Sequence, residues 1–230
     1  MAGQHDPTAQ GLTEAEPHAA LGLGPRLERS FFAEDVLDVA PALLGTFLTV
    51  GPVTVRLTEV EAYAGESDPG SHAFRGPTPR TQVMFGRAGH LYVYFTYGMH
   101  WCANVVTGSE GHASAVLLRA GEVVAGEEVA AGRRAGIARR DWTRGPARLA
   151  TTLGLRGEDS GADACAEDGR IALHAPVAHV PAGRIRTGPR VGVSGAGGDA
   201  TAYPWRFWLA DEPSVSVYRA AKPRARRRGA

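Results

Sequence analysis

The order of apolar and polar positions along the chain predicts two β-hairpins in its first half. The segment 53–63 opens with alternating apolar and polar side chains, VTVRLT, which is typical of a strand with one buried face. TFLTV at 46–50 precedes it, so the two segments predict a hairpin. LYVYFTY at 91–97 and WCANVVTG at 101–108 are rich in aromatic and β-branched residues. Joined through GMH, they predict a second, protruding hairpin.

The rest of the pattern predicts short helices and more strands. Residues 31–45 favour a short helix that packs its leucines, with Pro41 limiting its length and Gly45 ending it. The segments 126–141 and 145–155 also read as helices. Further strands are predicted at 114–124, 171–177, 184–193 and 204–210, and SVSVYR at 214–219 closes the fold. The Gly/Pro/Ser-rich stretch 65–80 predicts an exposed loop, a common place for a functional site.

This order predicts one compact α+β domain at 29–218, built on a mostly antiparallel sheet with a few packed helices. The βαβ alternation of a doubly wound fold is missing. The Gly-rich GVSGAGG does not have the GxGxxG spacing between a strand and a helix, so no dinucleotide cofactor is expected. The polar, aperiodic residues 1–28 predict a flexible lead-in, and the basic residues 219–230 predict a disordered tail.

Length and composition are those of an ordinary globular protein. The chain has 230 residues, of which 43% are hydrophobic and 21% charged, enough for one full core. The N-terminus has no basic and apolar signal pattern, and no apolar stretch approaches a membrane span. We therefore expect a cytoplasmic protein with no membrane partner.

Although the net charge is only +1, the basic residues are clustered along the chain. Such clusters predict binding to a polyanion, but a run of charges is more often only a solvated surface. They comprise arginines 133, 134, 139, 140, 144 and 148, arginines 184, 186 and 190, and the tail. All basic side chains except Lys222 are arginine, so a Schiff-base lyase has almost no candidate amine. Two isolated cysteines and the absence of an HExxH pattern imply no metal.

Two acids near the end of the first hairpin could act as a general base toward water. Glu61 precedes the Gly-containing loop, and Glu59 would share its face in a regular strand. A solvated acid at a strand end is the more common reason for such a residue. The pattern alone does not choose between the two acids.

Other polar and aromatic positions are also candidates. Tyr97 stands at the predicted hairpin tip, where a large aromatic could wedge between bases, although core or surface packing is the more common use of such a residue. Asn104 and Arg119 lie in otherwise apolar strands, so each must be paired, either structurally or in a site. A wider aromatic set surrounds them in the sequence: Tyr63, His72, Tyr92, Tyr94 and Phe95.

The order of these segments resembles the alkyladenine (3-methyladenine, or methylpurine) DNA glycosylase family. The resemblance rests on EVEAYAGESDPGSHAFRGPTPRTQVMFGRAGHLYVYFTYGMHWCANVV, followed by AVLLRAGEVVAGEE. It extends from about Phe31 through GPARLATTLGL to RVGVSGAG, PWRF and SVSV, nearly the whole domain. The family's fold is a single α+β domain with a protruding hairpin, which agrees with the pattern.

The resemblance implies roles for residues at matching positions. Glu61 matches the general base that deprotonates the attacking water, and Arg119 a polar partner near that water. The extruded base would be held by Tyr63, His72, Tyr94 and Asn104, the last disfavouring guanine's exocyclic amine. Tyr97 and Met99 match the residues that fill the gap in the duplex, and Thr78 and Arg80 match contacts to backbone phosphates.

The implied protein is a monofunctional glycosylase of base excision repair, a monomer that needs no cofactor. It would act on double-stranded DNA containing alkylated or deaminated purines such as 3-methyladenine, hypoxanthine or ethenoadenine. Extrusion makes the glycosidic bond reachable, and hydrolysis leaves an abasic site. Two alternatives remain open: a nucleic-acid-binding domain without catalysis, and a hydrolase of free nucleosides.

Overall fold

Strand β3, Val53–Tyr63, forms the centre of the sheet because strands pair with it on both sides. The computed structural model describes residues 21–221 and shows an α+β domain on a nine-stranded sheet. The main path runs β1-β7-β2-β3-β6-β5-β4, β9 pairs with β3 and β8, and all these strand pairs are antiparallel. The other strands are β1 Leu23–Arg26, β2 Phe47–Val50, β4 Leu91–Thr96, β5 His100–Val106, β6 Ala115–Ala125, β7 Ile171–Pro176, β8 Ile185–Gly188 and β9 Arg206–Leu209.

Four α-helices lie within residues 21–221. They are α1 Arg29–Phe32, α2 Val36–Ala42, α3 Glu127–Arg133 and α4 Pro146–Leu153. Helix α4 packs on β5 and β6, and α2 packs on β3, so their apolar side chains and one face of the sheet form the main core. In this part of the chain no helix is both long and apolar enough to cross a bilayer.

An irregularity in β3 decides which side chains face away from that core. Val53, Val55 and Leu57 belong to the core, and so do Val60 and Ala62, although the first three have odd and the last two even positions. The register of β3 against β6 shifts on both sides of Glu59. Such a bulge reverses the alternation of side chains along a strand. It therefore places the acids of β3 on the face opposite the main core.

Both predicted hairpins are confirmed, but the helices are shorter than predicted. The predicted helix 31–45 is two short helices, interrupted before Asp35, whose carboxylate accepts a hydrogen bond from the N–H of Leu37 at 2.8 Å. The predicted helix 126–141 ends at Arg133, close to Gly136, which has a positive φ of 77°. Local caps and left-handed positions interrupt both segments despite their helical patterns.

Strand boundaries differ from the prediction at the two ends of the domain. Leu23–Arg26 forms an edge strand, so the ordered domain begins before residue 29, and residues 1–20 lie outside the described part. The predicted strand 184–193 stops at Gly188, because Pro189 has no N–H to donate to a ladder. The predicted strand 214–219 is not formed. Of the predicted tail, 222–230 lie outside the described residues.

Candidate active site

A cavity of about 430 Å³ opens on the sheet face turned away from the main core. It brings together side chains of β3, β4, β5 and β6 with the loop that follows β3. Seven of the residues to which the resemblance gives roles line it: Glu61, Tyr63, His72, Tyr94, Tyr97, Asn104 and Arg119. Thr78, Arg80 and Met99 do not line the cavity, and Arg80 lies beside it, 5.3 Å from the centre of the Tyr94 ring.

Glu61 is fully buried and held by three donors. The hydroxyl of Tyr63 donates to its Oε2 at 2.8 Å, and the backbone N–H of Val191 donates to its Oε1 at 2.7 Å. Nη1 of Arg119 lies 3.3 Å from Oε2. A carboxylate fixed in this way at a cavity wall can accept a proton from a bound molecule without first reorienting.

Glu59 is also fully buried, but its partners are structural. Its carboxylate accepts from Nε of Arg119 at 2.8 Å and from Nε of Arg206 at 2.7 Å. Ser216 adds its N–H at 2.6 Å and its hydroxyl at 2.8 Å. Burial opposes ionisation, but the two guanidinium groups outweigh it and lower the pKa of Glu59. Glu59 does not line the cavity, so the geometry separates two acids that the sequence pattern left equivalent.

Arg119 of β6 connects the two acids. Burial by itself would lower the pKa of this guanidinium, but the charges of Glu61 and Glu59 outweigh it and raise the pKa. Nη2 of Arg119 also donates to the Ser216 hydroxyl at 3.2 Å. The segment around Ser216, which was predicted as a strand, therefore closes this buried charge network instead of extending the sheet.

Three aromatic rings form one wall of the cavity. Tyr92 and Tyr94 point to the same side of β4 and stack with ring centres 5.5 Å apart. The edge of His72 meets Tyr94 at a centre distance of 4.6 Å, and its Nδ1 lies 3.2 Å from the Tyr92 hydroxyl. Although His72 keeps an exposed edge, desolvation by its neighbours lowers its pKa to about 4, and the charge of Arg80 lowers it further in the same direction.

We expect the imidazole of His72 to titrate near pH 4 rather than near 6.5, as followed by its NMR chemical shift. The Arg80→Met change should raise this midpoint, because it removes a positive charge that disfavours protonation. Since the folded-state pKa is the lower one, His72 stabilises the fold fully above pH 6.5, and this contribution is lost as the pH falls toward 4. A midpoint near 6.5 in the wild-type protein would contradict this description of the wall.

Tyr63 is supported from behind by Arg190, which the sequence had placed in a basic cluster for a polyanion. That prediction is wrong for Arg190, because it is only 1% exposed. Its guanidinium lies 4.5 Å from the Tyr63 ring centre and donates to both carboxylate oxygens of Asp68 at 2.5 and 2.7 Å. It also donates to the carbonyls of Ala62 and Gly197. One buried arginine thus joins the end of β3 to two loops around the cavity.

Asn104 and Cys102 complete the cavity on β5. The Asn104 amide donates to the carbonyl of Tyr92 at 3.0 Å, which fixes its orientation. Cys102 was not a predicted site residue, but it lines the cavity beside Tyr94. Burial raises the pKa of the Cys102 thiol, so it is present as the neutral form. Its position two residues before Asn104 on a strand was the only signal for it in the sequence.

The hairpin between β4 and β5 ends in exposed apolar side chains. Tyr97 is 85% exposed and Met99 66% exposed. Tyr97 also has a left-handed backbone with φ of 52°, followed by Gly98 with φ of 68°. This conformation costs a non-glycine residue about 1–2 kcal/mol. A strained aromatic side chain held out in water at the cavity mouth has no role in packing the fold.

Thr78 and Arg80 lie in the loop between β3 and β4. The Thr78 hydroxyl lies 2.9 Å from that of Thr81, and the N–H of Thr81 also bonds Thr78. These bonds shape the turn that carries Arg80 to the rim of the cavity. Within residues 21–221, no group of three or more His, Cys, Asp or Glu side chains is placed to hold a metal ion.

Comparison with known proteins points to one family. The family model described as methylpurine-DNA glycosylase (MPG) matches residues 30–213. Proteins named "Putative 3-methyladenine DNA glycosylase" are similar over most of their length. The one from Streptomyces avermitilis is 56% identical over 206 residues, covering 87% of this chain and 95% of its own. Those from Leifsonia xyli and Frankia casuarinae are 53% and 51% identical, covering 83% and 81% of this chain and 92% and 90% of their own.

The family model matches most of the chain, and three relatives are more than half identical to it. The cavity also contains the expected acid and aromatic residues. The chain belongs to the methylpurine-DNA glycosylase family, a family of DNA repair enzymes.

Proposed function

We propose that this glycosylase extrudes a damaged purine from duplex DNA into the Glu61 cavity and hydrolyses its N-glycosidic bond. The observation that carries the proposal is the Glu61 carboxylate, which is buried, held by three donors and part of the wall of a cavity with aromatic side chains. The cavity volume of about 430 Å³ lies in the range of small-molecule sites. A single base fits this size class, whereas a stacked duplex does not.

Glu61 acts as the general base in this proposal. A water bound between its carboxylate and the sugar loses a proton as it attacks C1′, and the departing purine carries away the bonding electrons. The sugar develops oxocarbenium character, which the negative charge of Glu61 stabilises. Arg119 and Tyr63 keep the carboxylate in place through their contacts with Oε2.

The aromatic side chains hold the base. Tyr63, His72 and Tyr94 offer ring faces and edges to a flat purine, and an alkylated, positively charged purine gains a cation–π attraction of about 1–2 kcal/mol when desolvated. The low pKa of His72 keeps its imidazole neutral at physiological pH, so it does not repel such a base. Neutral lesions such as hypoxanthine and ethenoadenine depend on shape and hydrogen bonds. Asn104 disfavours the exocyclic amine of guanine.

The reaction is proposed to end at an abasic site, because residues 21–221, which the structure describes, include no lysine amine. Lys222, the one lysine of the chain, lies outside the described residues. A lyase would need an amine to form a Schiff base at C1′. We therefore propose a monofunctional enzyme, acting as a monomer in the cytoplasm on double-stranded DNA of the nucleoid, with Thr78 and Arg80 at backbone phosphates.

Tyr97 and Met99 are proposed to fill the gap left by the extruded base. Extrusion costs a few kcal/mol in lost stacking and pairing, and an inserted side chain offsets part of that cost. The exposed, strained tip of the hairpin supports this role. Within residues 21–221, the exposed Tyr97 side chain makes no packing contact or hydrogen bond that would compensate for this backbone strain. The strained backbone instead holds the ring out from the hairpin tip.

The Tyr97→Gly variant should release base from a lesion duplex about tenfold more slowly or worse, since a loss of about 1.4 kcal/mol corresponds to a factor of ten. Its folding stability should stay within about 1 kcal/mol of wild type, because glycine adopts the positive φ without strain but loses more chain entropy. Tyr97→Phe keeps the ring and serves as the control. Single-turnover assays measure the rate of base release, and urea unfolding measures the folding stability. Equal rates of base release for wild type and Tyr97→Gly would contradict the wedge role.

The proposed function is tested by base release from duplexes that each carry one hypoxanthine or ethenoadenine, and from methylated DNA. The expected product is an abasic site whose strand breaks only after treatment with alkali. The same lesions as free nucleosides should be cleaved far more slowly. Spontaneous strand breakage would show a lyase activity and contradict the monofunctional assignment.

Two other outcomes would identify the alternatives. Tight binding of lesion duplexes without any release of base would favour a non-catalytic DNA-binding domain. Equal cleavage of free nucleosides and of duplexes would favour a nucleoside hydrolase, which has no use for the exposed Tyr97. An undamaged duplex of the same sequence is the matched control in each assay.

A further inference from the structure

We propose that a second cavity, of about 340 Å³, binds a backbone phosphate of the DNA beside the extruded base. This inference rests on the proposed function and names an additional contact for it. The cavity is lined by three arginines and a histidine around the first turn of α4: Arg134, Arg144, Arg148 and His100. It is called the α4 cavity below.

The α4 cavity lies next to the Glu61 cavity. Pro146, the first residue of α4, lines both cavities. His100 begins β5, so it follows Tyr97 and Met99 directly on the hairpin that carries the proposed wedge. A duplex positioned with its extruded base in the Glu61 cavity and Tyr97 in the gap therefore runs its backbone past the α4 cavity.

The basic side chains around this cavity are only partly neutralised by their neighbours. Nε of Arg134 is buried, yet it has no hydrogen-bond partner among the described residues. Burial, followed by the positive charge of Arg148, lowers the pKa of Arg134, which shows that like charges face each other here. Asp141 is the carboxylate near them, 3.3 Å from Arg148 and 3.7 Å from Arg144. Arg144 and Arg148 share this carboxylate with Arg140, whereas Arg134 has no ion pair among the described residues.

A phosphodiester is the anion that fits this arrangement. Arginine presents planar sets of donors that match phosphate oxygens, and a phosphate would satisfy Nε of Arg134 and reduce the repulsion between the cations. The first turn of α4 has no side-chain cap, so its backbone N–H groups add to the positive potential without being a site by themselves. Duplex DNA supplies such a phosphate at the required place.

The test compares the salt dependence of binding to an undamaged duplex for the wild-type chain and Arg134→Gln/Arg148→Gln. Each phosphate contact contributes about −0.9 to the slope of log K against log salt concentration, so the double variant should show a slope shallower by about one unit. Fluorescence anisotropy between about 50 and 200 mM salt covers the useful range. Arg144 is left intact because its Nε donates a structural hydrogen bond to the carbonyl of Val215.

The matched control removes two arginines at the other edge of the sheet, Arg26→Gln/Arg184→Gln. Arg26 lies on the edge strand β1, and Arg184 lies in the loop that approaches this edge. An unchanged slope in this control with a shallower slope in the test variant supports the α4 cavity. An unchanged slope in the test variant, or an equal change in both, would overturn the proposal.

Folding and charge are controlled separately. If the double variant does not fold, Arg148→Gln alone is used instead, because it removes a half-exposed side chain. Its slope should also be shallower than that of the wild type. Arg134→Lys keeps the charge and should keep most of the slope. Base release by the wild type is measured in parallel: its absence would refute the glycosylase function, whereas the slopes report on the α4 cavity by themselves.

Discussion

Arg190→Met is expected to lower the free energy of unfolding by about 3–5 kcal/mol, the usual cost of removing one partner of a buried ion pair. Asp68 and Arg190 have fully buried side chains, and the change leaves the Asp68 carboxylate without its two guanidinium contacts. It also frees the carbonyls of Ala62 and Gly197. Urea unfolding of the full chain measures the effect.

The double variant Asp68→Asn/Arg190→Met separates the ion pair from packing. Once both charges are gone, no unpaired charge is buried, so the double variant should lose clearly less stability than the sum of the two single variants. A loss below about 1 kcal/mol for Arg190→Met would show that this buried pair does not hold the two loops. Additive losses in the double variant would show that the pair itself contributes nothing.

Glu61→Gln should reduce base release by about 10²–10⁴-fold, the range typical of a lost general base. The amide keeps the shape of the side chain, and its single carbonyl oxygen can still accept the N–H of Val191 while its NH2 group donates to the Tyr63 hydroxyl. It neither takes a proton nor carries a negative charge. Lesion binding should persist. Single-turnover release with protein in excess over an ethenoadenine duplex measures the chemical step.

Glu59→Gln is the matched control for the acid at position 61. Its carboxylate is surrounded by Arg119, Arg206 and Ser216 and does not reach the cavity. Its loss should therefore lower the folding stability, while the protein that remains folded should release base at a rate close to that of wild type. The assignment of Glu61 as the general base would be wrong if Glu61→Gln released base within about tenfold of the wild-type rate while Glu59→Gln lost most of its base release. Glu59 would then be the general base.

The hairpins could be predicted from the sequence because their signals are local. Alternation in 53–63 and the aromatic, β-branched segments around GMH are properties of adjacent residues, and both hairpins are present. Helix limits were less predictable, since Asp35 caps the start of a second helix inside the predicted one, and the helix from Glu127 ends at Arg133, before the positive φ of Gly136. The bulge at Glu59 was also hidden, because Thr58 suits either face of a strand.

The site could be predicted only where a residue type has a recognisable position. Glu61 and Tyr97 stand at a strand end and a hairpin tip, and the family resemblance supplied the remaining residues. The pairing of Arg190 with Asp68 spans 122 positions, and an arginine between loops predicts a surface charge. Packing alone reveals that this guanidinium is buried behind Tyr63.

The most direct test of the central claim is a crystal structure of Glu61→Gln bound to a duplex with one ethenoadenine. We predict the damaged base in the Glu61 cavity between Tyr63 and His72, its glycosidic bond next to residue 61, and Tyr97 in the gap of the duplex. A damaged base that remains stacked in the helix, or that lies outside this cavity, would contradict the account.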